Sequence, residues 1–223
     1  MSSEKTAVVL TAAGLSSRMH AFKPLLDLGG RALIARTISS YQEMRADPVV
    51  VVTGFQAERL ETFLRSLPLS AHLLTVRTPE YQTSDMFCSI RAGLAALRDF
   101  PGPVFLSPAD IPLVQPETLA SLLEAGRALP RGGKVACAPS AFRPVYRGRG
   151  GHPLLLTPAA VRTILRRAEE GGADGRMSGG MRGIFQSGAV HRFDVPVSDP
   201  GILMDADTPE DYQTLLSALR NRP

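Results

Sequence analysis

Short runs of adjacent apolar residues alternate along this chain with longer stretches in which apolar positions recur every three or four residues. The first run, Ala7 to Leu10, is apolar and rich in β-branched residues, as in a strand buried on both faces. Pro48 to Val52, His72 to Val76 and Val104 to Leu106 predict three more strands. Between them, Leu33 to Met44 places Leu33, Ile34, Thr37, Ile38 and Tyr41 on one helical face, and Gln56 to Leu67 does so with Leu60, Phe63, Leu64 and Leu67. A third helix runs through Met86, Ile90, Leu94 and Leu97, capped by Ser84 or Asp85. A fourth opens at Pro116 and carries Leu119, Leu122 and Leu123.

The remaining segments are read from breakers and caps. Pro24 to Leu28 reads as a short extended piece that turns at Gly29-Gly30. Val135 to Ala138 reads as strand, Arg143 to Gly151 as a Pro/Gly/Arg loop, and His152 to Leu156 as extended again. Thr157-Pro158 opens a helix with Val161, Ile164, Leu165 and Ala168 inward, stopped by Gly171-Gly172. Gly171 to Gly183 is glycine-rich and reads as mobile. Thr208-Pro209-Glu210-Asp211 combines an N-cap, a first-turn proline and early acids ahead of Tyr212, Leu215, Leu216 and Leu219.

This order predicts an α/β fold with a mainly parallel sheet and helices on both faces. No repeat or linker interrupts it, so residues 1–223 are expected to form a single domain. In such open sheets, ligands sit beyond the carboxyl ends of the strands. The loop after Leu10 and the segment after Leu106 both reach that rim.

Composition narrows the class. The 223 residues, 44% hydrophobic and 21% charged, suit a soluble globular protein with a substantial core. No apolar run approaches the roughly 20 residues of a membrane span, and the N-terminus lacks a signal-peptide layout, so a cytoplasmic location without membrane contact is expected. Cys88 and Cys137 are too few for a disulfide framework or a zinc site and read as core residues in a reducing compartment. A net charge of +4 raises the question of nucleic acid. The basic residues are scattered, however, and the densest group, Arg143 to Arg149, has only Tyr146 as a nearby stacking ring. A mild positive field that draws in a polyanionic small molecule is the better reading, with no nucleic-acid partner.

The candidate chemistry follows from the rim. Ala12, Ala13, Gly14, Ser16 and Ser17 lack bulk, so the backbone there can approach a ligand closely and point several N–H groups into one concavity. Arg18 adds a planar fork for phosphate oxygens, and Lys23 a compact charge. Lysine occurs only at 5, 23 and 134, which makes the one in this loop conspicuous. The loop reads as a triphosphate cradle. It matches neither the dinucleotide fingerprint nor the Walker loop, and the missing glycine fingerprint disfavours an oxidoreductase. Asp110, just past a buried strand, can hold a Mg2+ that bridges nucleotide phosphates, although an Asp before Pro112 can also simply start a turn. Asp205 and Asp207 precede the last helix, where Asp207 can equally serve as a plain cap.

The pattern Ala-Ala-Gly-x-Ser-Ser-Arg-Met, with Lys23 five residues after Arg18, resembles the MobA-like nucleotidyltransferases and within them the molybdenum cofactor cytidylyltransferase branch. Ala109-Asp110-Ile111-Pro112 is similar to the family's Gly-Asp-Met-Pro metal motif, Gly151-His152-Pro153 to its Gly-His-Pro, and Asp205 to Asp211 to its closing Asp-x-Asp-Thr-Pro-Glu-Asp. Thr83 to Gly93 and Asp174 to Ile184 resemble its acceptor-side loops less specifically. The resemblance implies a single-domain, Rossmann-like three-layer sandwich of the nucleotide-diphospho-sugar transferase type. It implies a Mg2+-dependent transfer of CMP from CTP to the phosphate of a molybdopterin-type cofactor, with release of pyrophosphate. Arg18 and Lys23 would bind phosphates, Asp110 would hold Mg2+ with Asp207, and His152 and Asp205 would line the acceptor side. A transient contact with a molybdoenzyme would accompany delivery.

Within the same fold the acceptor could instead be a sugar phosphate, and a different class of reading is a nucleotide-binding cofactor chaperone without chemistry. An acceptor phosphate is already an anionic nucleophile, which agrees with a rim of cations and carboxylates and no evident base dyad. His20 and Ala109 stand where the family has glycines, which predicts a narrower space near the phosphates. Ala13, in Thr-Ala-Ala-Gly where the guanylyl branch shows Leu-Ala-Gly-Gly, predicts a methyl that favours the smaller pyrimidine.

Overall fold

The computed structural model describes residues 5–14, 19, 21–69, 71–78, 85–129, 138–170 and 179–221. Strand β1 (Ala7–Ala12) runs between two parallel neighbours, β2 (Val49–Thr53) and β4 (Val104–Pro108). β3 (Leu73–Arg77) continues the parallel half beyond β2. On the other side, β7 (Leu154–Leu156) runs antiparallel to both β4 and β5 (Ser140–Tyr146). β6 (Arg149–Gly150) folds back on the end of β5, and β8 (His191–Pro196) lies parallel along β5. The result is one mixed eight-stranded sheet, mostly parallel in the half that forms the rim.

The strand period of two divides the core into two layers. Val9, Val50 and Val52 face α3 (Met86–Ala95) and α5 (Pro158–Glu170). Val8, Leu10, Val49 and Val51 face α1 (Leu33–Glu43), α2 (Ala57–Ser66) and α4 (Pro116–Arg127). A three-layer α/β sandwich follows, as expected. α3 lies so close to the sheet that a Cβ on Gly93 would come nearer than 3.0 Å to methyls of Val9 and Val52, so only glycine fits there. A third, smaller cluster of Leu28, Leu33, Leu113, Ala206 and Leu215 seats the final helix, α7 (Pro209–Arg220). Its start carries the expected N-cap at Thr208, which the structure completes as a capping box with Asp211 bonded reciprocally. Asp85 is the cap of α3, accepting from the Cys88 N–H at 3.0 Å.

The second half departs from expectation. Arg143 to Gly151 is not a loop: β5 runs to Tyr146, and Arg147 and Gly148, both with positive φ, turn it into β6. Arg143 is held in the strand by a two-pronged bond to Asp194 of β8, at 2.9 and 2.7 Å. β8 gives little apolar signal because it is largely exposed, its Phe193 stacking on Phe142 with ring centres 5.4 Å apart. Lys23–Leu25 forms a 3-10 turn rather than an extended piece, with Pro24 supplying the φ of its first turn. Within the glycine-rich stretch, Gly180–Gln186 is helical (α6), its Ile184 buried in the core. Ala138 is a bend rather than strand, while residues 135–137 lie outside the described residues, as do Cys137, Ser84 and the Gly171-Gly172 pair. No helix among the described residues is long and apolar enough to cross a membrane.

Candidate active site

The carboxyl ends of β1, β2 and β4 converge on one rim. Asp110 leaves β4 there on a peptide held from two sides. The Ala109 N–H donates to the Thr11 carbonyl of β1 at 3.0 Å, and the Thr37 hydroxyl of α1 donates to the Ala109 carbonyl at 2.8 Å. Thr37 reads from sequence as an inward helix position, but its partner lies 72 residues away and is visible only in the fold. Ala109 itself is 3% exposed, its methyl packed in the layer below the sheet. The methyl expected to narrow the space near the phosphates is packed in the core. His20, the other departure, lies outside the described residues.

Lys23, at the start of the 3-10 turn, brings the distant carboxylates together. Its Nζ donates to Asp110 Oδ2 at 3.2 Å and to Asp207 Oδ1 at 2.6 Å. The Lys23 side chain is 11% exposed and the two carboxylates 22% and 31%, so the pairs are partly shielded from water and from salt. Phe22, the residue before Lys23, is buried and packs edge-on against Phe55 with ring centres 6.0 Å apart.

Asp205 stands in the same field. Burial pushes its carboxyl above the usual carboxylate range, and the charges of Asp207, Asp110 and Asp211 push the same way, with Lys23 opposing. The segment that carries Asp205 and Asp207 is fixed upstream by Asp199, which is 2% exposed. Asp199 accepts from the N–H groups of Gln115 and Gly201, each at 2.8 Å, and from the Thr118 hydroxyl at 3.0 Å. Sequence inspection does not single out Asp199, since an Asp before Pro reads as an ordinary turn.

His152 follows Gly151, against which the Ile202 carbonyl packs so closely that a side chain could not fit. The His152 N–H donates to that carbonyl at 3.0 Å, which ties the Gly-His-Pro segment to the stretch leading to Asp205. Burial holds the imidazole below the ordinary histidine range, against the opposing influence of Asp110 and the Leu106 carbonyl. Nδ1 is buried and has no hydrogen-bond partner among the described residues. A histidine whose burial disfavours its charged form thus stands on the β4 side of Asp110.

Of the cradle, Ala12 and Ala13 are buried at the end of β1, and the Ala13 carbonyl accepts from the Phe55 N–H at 3.2 Å. Ala13 is 5% exposed and belongs to the layer beneath α3 and α5. Its methyl is already enclosed by protein, which corrects the expected steric role: what Ala13 offers the rim is backbone. Gly14, by contrast, has open space where a Cβ would stand. Ser16, Ser17 and Arg18 lie outside the described residues, as do residues 83–84 and 174–178 of the two acceptor-side segments; the rest of those segments opens α3 and α6.

Among the described residues, no three carboxylate, histidine or cysteine side chains form a metal cage by themselves. Two carboxylates converging on one cation are nevertheless the donor set that suits Mg2+, which is commonly held by one or two carboxylates with the remaining positions filled by phosphates and water. The residues present fit such an ion.

Comparison with known proteins agrees with this layout. The bifunctional protein GlmU of Zymomonas mobilis subsp. mobilis is 36% identical over 140 residues, 62% of this chain and 30% of that protein. The chain thus spans about a third of the length of the curated relatives it matches. A nucleotidyl transferase from Methanothermobacter thermautotroptrophicus superposes with a TM-score of 0.74 at 23% identity, covering 99% of this chain and 100% of the other. Molybdopterin-guanine dinucleotide biosynthesis protein A from Archaeoglobus fulgidus gives 0.64 at 18% identity, covering 97% and 100%. At such identities these two structures share the fold. The family model described as a MobA-like NTP transferase domain matches residues 7–188, from β1 through α6, and the chain belongs to that family.

Proposed function

We propose that this chain is a Mg2+-dependent nucleotidyltransferase that moves CMP from CTP to the phosphate of a molybdopterin-type cofactor and releases pyrophosphate. The observation that carries the reading is the Lys23 ammonium between Asp110 and Asp207, on the rim where the Gly14 loop leaves β1. Backbone and hydroxyl groups of Ala12, Ala13, Gly14, Ser16 and Ser17 receive the triphosphate, with Arg18 and Lys23 neutralising it. Asp110 and Asp207 would hold the metal ion, which when bound would supply positive charge for the phosphates. His152 and Asp205 face the acceptor.

An oxygen of the acceptor phosphate attacks the α-phosphorus in line. A new P–O bond forms as the bond to the bridging oxygen breaks, and its electron pair departs with pyrophosphate. The nucleophile is anionic from the start, so the protein removes no proton; its task is alignment and charge neutralisation. Burial disfavours the charged form of His152, in keeping with a step that needs no proton relay. The base preference rests on the Thr11-Ala12-Ala13-Gly14 resemblance to the cytidylyl branch. The acceptor rests on the family and on the name of the Archaeoglobus neighbour. Transient docking on a molybdoenzyme would pass the product on.

The test is pyrophosphate release with ATP, GTP, CTP and UTP, each against molybdopterin and a panel of sugar phosphates. CTP with molybdopterin should give the highest kcat/KM. A higher value for GTP overturns the base assignment, and one for a sugar phosphate overturns the acceptor. Triphosphate binding without pyrophosphate release from any pair would favour the chaperone reading.

A further inference from the structure

We propose that Lys23 is the resident cation of the Asp110–Asp207 seat, and that its ammonium and a divalent metal ion occupy that seat in turn. This rests on the proposed assignment of the two aspartates as metal ligands. The Nζ atom lies 2.6 Å from one carboxylate and 3.2 Å from the other, so it fills the space between them. A Mg2+ ion needs carboxylate oxygens at roughly 2.0–2.1 Å and near-octahedral room. It cannot take both oxygens while an ammonium stands between them.

The chemistry of the seat says why something must stand there. Asp110 and Asp207 bring two carboxylates to one ammonium, and like charges so placed repel unless a cation stands between them. Lysine suits this duty because its charge is compact, its donors rotate freely and its four-carbon stem can swing. Once displaced, the same Nζ is available to donate to the oxygens of a triphosphate bound at the rim. Metal ion and nucleotide then help one another bind: the nucleotide draws Lys23 out, and the vacated carboxylates take the ion. By linkage, each raises the affinity of the other by the same factor. The free enzyme should accordingly hold divalent ions weakly.

The chain has only three lysines, at 5, 23 and 134, so 15N-lysine labelling of the wild-type protein yields three side-chain ammonium signals. Titration with Mg2+ alone should shift the Lys23 signal and speed its hydrogen exchange while that of Lys5 stays put. A Lys23 signal unmoved at saturating Mg2+ overturns the exchange, whatever the variants do. In parallel, Mn2+ binding without nucleotide is measured by the loss of the free-ion electron paramagnetic resonance signal. Lys23→Met should bind Mn2+ about tenfold more tightly than wild type, the scale of an ordinary coupling between sites. Equal or weaker binding by the folded variant overturns the inference but leaves the metal seat intact, provided that Asp110→Asn binds Mn2+ more weakly than wild type. If Asp110→Asn binds like wild type, the metal assignment itself fails and the exchange with it.

Discussion

Asp110 owes its aim to its neighbours: the peptide before it is held by Thr11 and Thr37, and its carboxylate by Lys23. Asp110→Asn keeps the shape and removes the charge. Turnover should fall by about 10²-fold or more, the usual scale for losing a charge-stabilising group, with the circular dichroism spectrum and Tm little changed. Near-normal turnover in the folded variant would remove Asp110 from the chemistry. His152 makes a separate prediction through pH. Burial lowers its pKa in the fold, so the unfolded chain takes up a proton first. Its contribution therefore favours folding above the unfolded value near 6.5 and is lost as pH falls below it. Between pH 7.5 and 5.5 the wild-type Tm should drop by more than that of His152→Gln.

At the scale of elements, the closeness of α3 to the sheet decides one outcome and the enclosure of the β1 terminus another. Gly93→Ala drives a methyl into Val9 and Val52, and overpacking of this kind costs about 1–3 kcal/mol, to be read from urea unfolding. A variant as stable as wild type would mean that α3 can back away freely. Ala13→Gly removes a buried methyl and loosens the backbone, together about 1–2 kcal/mol of stability, while the CTP to GTP ratio of kcat/KM should stay where it is. A relaxed ratio would return the methyl to the nucleotide site. The buried parallel strands and the amphipathic helices were legible because one residue pattern served one environment along each whole element. β5 and β8 were not, because Arg143, Pro144 and Asp194 carry turn-like or polar chemistry that only their mutual pairing makes compatible with strand.

For the molecule as a whole, the C-terminal segment must be brought to the sheet rim before the site exists. Asp199 does this by joining the start of α4 to the Pro200–Leu203 turn. Asp199→Ala leaves three donors without their acceptor in a buried place, at about 2–4 kcal/mol. Because Asp205 and Asp207 follow directly, turnover should fall along with stability. Lost stability with unchanged turnover of the remaining folded fraction would show that the rim holds its geometry without this anchor.

The alternation of buried strands with amphipathic helices in the first half, the place of the α3 cap at Ser84 or Asp85 and the N-cap of α7 are settled by sequence alone, since each depends on residues a few positions apart. The candidate site residues were legible as residue types: a lysine in a small-residue loop, an aspartate past a strand end, an acid pair before a helix. Only the tertiary structure decided that Lys23 meets Asp110 and Asp207 across separations of 87 and 184 residues, and that the methyls of Ala13 and Ala109 point into the core. The reason is physical. Local pattern sets which face of an element is buried, whereas the partner of a charge, and the side of a loop on which a methyl falls, depend on how distant elements pack.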